Sequence, residues 1–87
     1  MPEISRFFGI VICMYKGDHL PPHFHARYAD DEAMININNG EIIKGNLSNR
    51  ALKLVMEWAN LHKEELIRNF EESQKDNPDF LKIDPLK

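Results

Sequence analysis

Three of the four histidines fall within seven residues, in the stretch His19-Leu20-Pro21-Pro22-His23-Phe24-His25. An imidazole titrates near neutral pH, gives or takes a proton and ligates metals, so chemistry is sought here first. On an extended strand His23 and His25 project to one side about 6.6 Å apart along the backbone, near enough to share a metal ion or one anionic group. Zinc usually takes a third or fourth ligand, for which the candidates are His62, the spare His19 and, more weakly, Asp18. A divalent-metal set of His23, His25 and His62, with zinc as the example, is therefore one expectation. The incomplete ligand set weighs against it and for histidines that hydrogen-bond the proline loop or titrate on the surface. Without metal, His23, His25 and His62 could still perform general acid-base work on a phosphodiester, with Arg27 on the same strand face holding the phosphate. The sequence contains no G-x-G-x-x-G, P-loop, C-x-x-C, H-E-x-x-H or G-x-S-x-G pattern, so nucleophilic catalysis through serine or cysteine is poorly supported.

The elements that must position these residues are legible from periodicity. Ile4 to Phe7 and Ile10 to Lys16 are β-branched and aromatic runs separated by Phe8-Gly9, which reads as a hairpin. Lys16-Gly17-Asp18 is a polar turn, and Pro21-Pro22 forces an extended backbone that cannot donate ladder hydrogen bonds. A third strand begins near His23, with Phe24, Ala26 and Tyr28 on the core face and His23, His25 and Arg27 on the other. Met34 to Asn38 alternates, and Asn38-Asn39-Gly40 turns into Glu41-Ile42-Ile43-Lys44. The expected fold class is α+β: an antiparallel meander of roughly four or five strands packed by one long C-terminal helix.

That helix is predicted from the N-cap Ser48 to about Gln74, since neither proline nor glycine interrupts it. At 100° per residue, Leu52, Val55, Met56, Ala59, Leu66 and Phe70 lie within about 60° of one line and form the expected core stripe. Leu54, Trp58 and Leu61 lie roughly 120° to 180° away and form a second apolar stripe. Two covers for that stripe stand open: a partner protein anchored on Trp58, Leu54 and Leu61, or the chain's own tail folding back. Residues 1–74 read as one domain and 75–87 as an extended tail carrying Phe80, Leu81, Ile83 and Leu86. His62 falls inside the wide apolar arc, so it is either a core histidine or the residue that completes a site with the His23/His25 strand.

Bulk composition narrows the classes. The chain has 87 residues, 43% hydrophobic and 29% charged, which suits a single globular domain with a modest core. A net charge of -3 supplies no basic field, which disfavours RNA as a partner. The lone Cys13 rules out an internal disulfide, reads as core filler and suits a reducing cytosol. No apolar run reaches membrane-spanning length and the N-terminus lacks a signal core, so the expected location is cytoplasmic.

The Pro21-Pro22-His23-Phe24-His25 stretch, the N-terminal hairpin and the segment from Arg50-Ala51-Leu52 through Glu57-Trp58 to His62-Lys63-Glu64-Glu65-Leu66 resemble the small prokaryotic family catalogued as domain of unknown function 4160. The likeness covers residues 2–72 and reaches His23, His25, His62 and the Trp58 region, not His19 or the tail. It implies a component of a toxin-antitoxin module that binds a cognate small antitoxin-like protein. Two further expectations stand beside it: a histidine-based hydrolase acting on RNA, and a homo-oligomer joined through the second helical stripe.

Overall fold

The computed structural model describes residues 2–87. Its elements are β1 (Glu3–Phe7), β2 (Ile10–Cys13), β3 (His23–Tyr28), β4 (Asp31–Asn36), β5 (Ile42–Gly45), α1 (Asn49–Leu61) and α2 (Lys63–Ser73). The strands form one antiparallel sheet in sequence order, β1-β2-β3-β4-β5, so each neighbour is reached by a local connection. At the first hairpin Phe8 and Gly9 both take positive φ, 50° and 81°, the pair of left-handed residues a type I′ turn demands. No helix among the described residues is long and apolar enough to cross a membrane.

Register and alternation divide the sheet into two faces. The rows Phe7-Ile10-Tyr28, Ile12-Ala26-Ala33 and Phe24-Ile35 face the helices and hold the core. The row Cys13-His25-Met34-Lys44 lies on the opposite face, which the C-terminal end of α2 reaches at its edge through Phe70 and Ser73.

The single long helix expected over Ser48 to Gln74 is instead two helices that break at His62. Ser48 caps α1 as expected, its hydroxyl accepting from the Ala51 amide at 3.2 Å. At His62 the backbone turns to φ -127°, ψ 27°; its amide donates back to the Ala59 carbonyl and its carbonyl accepts from Leu66, ending one helix and starting the next. The physical reason lies in Lys63, which sits about 20° from the Leu52 line and would be driven into the core by a continuous helix. The break frees its ammonium to donate to the Asn38 carbonyl at 3.2 Å. Glu64 and Glu65 in the first turn of α2 then complement the dipole of the new N-terminus.

The core stripe of α1 is also rotated from the expected one. Ala51, Val55 and Trp58 are buried, while Leu52, Met56 and Ala59 are half-buried at its flank. Trp58 is 0% exposed, its ring packed on Phe7 at 5.4 Å and Phe24 at 5.9 Å between centroids. The tail covers the rest of it: Trp58 Nε1 donates to the Asp84 carbonyl at 2.8 Å, and Ile83 is buried beside it. The tail is tied further by the Ile83 amide on the Ile4 carbonyl, and by Asn69, whose side-chain amide both donates to and accepts from the Leu81 backbone. The expected partner anchor Trp58 is therefore internal. Of its two stripe neighbours, Leu54 is half-buried and Leu61 is 68% exposed.

Candidate metal centre

β3 is the middle strand, and its alternation sends Phe24 to the helices and His23 and His25 to the opposite face. Both imidazoles are nonetheless buried, because the chain from Met14 to Pro22 folds back over them. That loop is pinned from the side of α2: Gly17 donates its amide to the Ser73 carbonyl, and Gln74 Nε2 donates to the Asp18 carbonyl. The Tyr15 ring stands edge-on to His25 at 4.6 Å, and Phe70 of α2 touches His23 at 5.8 Å. The two histidine rings lie 5.2 Å apart.

Into the gap between them the turn inserts Asp18. One ligand-capable atom from each of Asp18, His23 and His25 lies within 4.8 Å of the other two. Asp18 Oδ2 is 3.2 Å from His25 Nε2 and 3.5 Å from His23 Nε2. Tetrahedral zinc bonds of this ligand type would place donor atoms about 3.3–3.4 Å apart, which the two Asp18 separations match; the whole set lies within 4.8 Å, so the two imidazoles would have to close on a bound ion.

The hydrogen bond of His23 selects the tautomer of its neutral ring, and that of His25 stays open. His23 Nδ1 lies 2.8 Å from the Pro21 carbonyl, which can only accept, so the proton sits on Nδ1 and the Nε2 of the neutral ring is a bare lone pair. That Nε2 is buried without a hydrogen bond and faces a carboxylate oxygen, another acceptor. His25 Nδ1 likewise makes no hydrogen bond, although the Glu32 carboxylate is 3.4 Å away. His25 has one proton and a carboxylate near each nitrogen, so in its neutral form one of the two always meets a lone pair. Without an ion His25 Nε2 can donate to Asp18 Oδ2 at 3.2 Å; were Asp18, His23 and His25 to hold a cation instead, Nδ1–H of His23 would stay on Pro21, Nδ1–H of His25 would turn towards Glu32, and both Nε2 lone pairs would be free for it. Metal-ligating histidines commonly show this outer bond to a carbonyl or carboxylate.

Two neighbours are held out of the chemistry by burial. Burial pushes the Cys13 thiol up, so the residue opposite His25 in the sheet stays a neutral thiol. Burial also raises the Tyr15 phenol, which keeps its proton.

Of the residues singled out in the sequence, the structure brings together His23 and His25 and supplies Asp18 as their third member. His62 is elsewhere: it sits against Trp58 at 5.6 Å between rings and pairs through Nδ1 with Glu65 at 2.7 Å, on the helix side of the sheet. Arg27 shares the open face, one row along, between Val11 and Glu32. His19 is outside the three-residue cluster and lines a cleft beside it. The signal that could have promoted Asp18 is its position in a Gly-Asp turn seven residues before His25, with two prolines to send the chain back.

Two depressions open beside the cluster and meet at Met34. One, of about 140 Å³, reaches Asp18 and His23 past Leu20, Pro21 and Ile43. The other reaches His25 past Glu32, Lys44 and Gly45. A ligand on the cluster can therefore be approached from solvent.

A family model described as Domain of unknown function (DUF4160) matches residues 9–71, a span that contains the whole cluster and leaves out β1 and the tail. Comparison with curated proteins and with solved structures gives no match.

Proposed function

For a chain that belongs to the domain-of-unknown-function family DUF4160, a membership that carries no activity with it, we propose that Asp18, His23 and His25 bind one divalent metal ion, zinc foremost, as a hydrolytic centre. The observation that carries this reading is the buried His23 Nε2, a lone pair aimed at a carboxylate with no donor between them. Three protein ligands leave a tetrahedral ion one position for water, the arrangement of catalytic rather than structural zinc. An ion held by these three residues would supply Lewis acidity and lower the pKa of a water beside it. The residues of this chain orient the ligands: Pro21 holds His23, Glu32 faces the outer nitrogen of His25, and Asp18 neutralises part of the ionic charge. The net charge of -3 weighs against a long RNA as substrate.

The test begins with metal-stripped protein. After incubation with zinc and gel filtration, elemental analysis should give one zinc per chain for the wild type and far less for His23→Gln and Asp18→Asn. Hydrolysis of an activated ester such as p-nitrophenyl acetate should rise with zinc in the wild type alone. A wild type that retains no zinc removes the reading, and one that binds zinc without gaining hydrolysis leaves a structural ion.

A second reading, binding of a cognate small protein as in a toxin-antitoxin module, is supported by Leu61, a large aliphatic side chain 68% exposed at the end of α1. It no longer has Trp58 as its anchor. Co-expression with a cognate small antitoxin-like protein should give a complex on size exclusion that Leu61→Asp weakens; a complex indifferent to that change would remove Leu61 from the interface.

A further inference from the structure

The wall beside Asp18 and His23 is aliphatic in a way the fold does not require. Leu20 is 75% exposed and Ile43 is 43% exposed, yet both line the cleft that reaches the cluster, together with Met34. They come from segments far apart in the chain. Ile43 arrives there through a fault in the ladder: Met34 pairs with Lys44 and Ile35 with Ile42, which leaves Ile43 as an extra residue in β5. Such bulges re-aim a side chain, and they recur beside active sites. Leu20 is carried on the same loop that delivers Asp18. Two aliphatic side chains left in water at one cleft that reaches Asp18 and His23 mark a contact with something apolar.

Resting on the metal reading, we infer that the ligand of this centre is a small amphiphile: an acyl head group that would coordinate an ion held by Asp18, His23 and His25, and a short aliphatic arm laid along Leu20, Ile43 and Met34. The size of the cleft, about 140 Å³, limits the arm. Pockets for drug-sized molecules start at about 300 Å³, so the cleft suits a short chain.

Alkyl hydroxamates carry a metal-coordinating acyl head with an arm of chosen length. Titrated calorimetrically into the zinc-loaded full-length protein, the series from acetohydroxamate to octanohydroxamate should bind more tightly with each methylene until the cleft is filled. The expected gain is roughly twofold to fourfold per buried methylene. Leu20→Asp and Ile43→Asp should flatten the series while zinc stoichiometry stays at the wild-type value. A wild type that takes short and long hydroxamates equally overturns the aliphatic arm and leaves the metal centre standing. Absence of bound zinc removes both. If light scattering shows a wild-type dimer that these two substitutions split, the wall is an interface between copies and the inference also falls.

Discussion

Replacing Trp58 with alanine is expected to lower stability by about 3–5 kcal/mol, the range for emptying a fully buried large aromatic site. Trp58 is the largest fully buried side chain and it joins three parts of the fold: Phe7 of β1, Phe24 of β3 and the tail at Asp84. A domain of this length is stable by roughly 4–13 kcal/mol, so the loss is about a quarter of the total or more. The thermal midpoint should fall by roughly 12–40 °C. Trp58→Phe keeps most of the packing but leaves the Asp84 carbonyl without its donor, and should cost about 1–2 kcal/mol. Urea unfolding followed by circular dichroism reads both. An exposed partner anchor would behave oppositely, because truncating it leaves the isolated chain about as stable as before. A Trp58→Ala loss below about 1 kcal/mol would therefore contradict the buried position.

The strands and both faces of the sheet could be read from the sequence because their signals are local. The Phe8-Gly9 and Asn38-Asn39-Gly40 turns and the alternation of Phe24 and Ala26 against His23 and His25 need only neighbours along the chain. The helical region was harder. Neither proline nor glycine marks the break at His62; the only trace is Lys63, a charge standing on the predicted apolar stripe. The rotation of the α1 core follows from size: Ala51, Val55 and Trp58 share an arc, and the sheet takes the indole in preference to Leu52 and Met56 because Phe7 and Phe24 leave room for it. The site was half legible. Strand spacing brought His23 and His25 together, but the third member depends on a loop folding back from Tyr15 to Pro22 and being pinned by Ser73 and Gln74, contacts more than fifty residues apart in sequence. His62 was drawn towards the site by its residue type, its place in the apolar arc of the helix and the family resemblance. The two faces of one sheet keep it away.

Asp18→Asn should separate stability with metal from stability without it. In the wild type, zinc at about a hundred times its dissociation constant adds about 2.7 kcal/mol to folding, because the unfolded chain lacks the site. For a domain of this size that is an upward shift of roughly 11–22 °C in the thermal midpoint. The asparagine variant should show none of it, having lost the charged ligand. In metal-free buffer the order should reverse or vanish. The wild type then holds a buried His23 Nε2 lone pair against the Asp18 carboxylate, and a buried acceptor without a donor costs about 1–3 kcal/mol. Asparagine matches the carboxylate in shape, and its side-chain amide can turn an N–H towards that lone pair and towards His23 alone. The variant is thus expected to melt at or above the wild type after chelation, and well below it with zinc. If zinc leaves the wild-type midpoint unchanged, Asp18, His23 and His25 do not form a metal site. If chelated Asp18→Asn is instead strongly destabilised, the carboxylate serves the fold through its contacts with the loop, and the frustration at His23 is not what shapes the site.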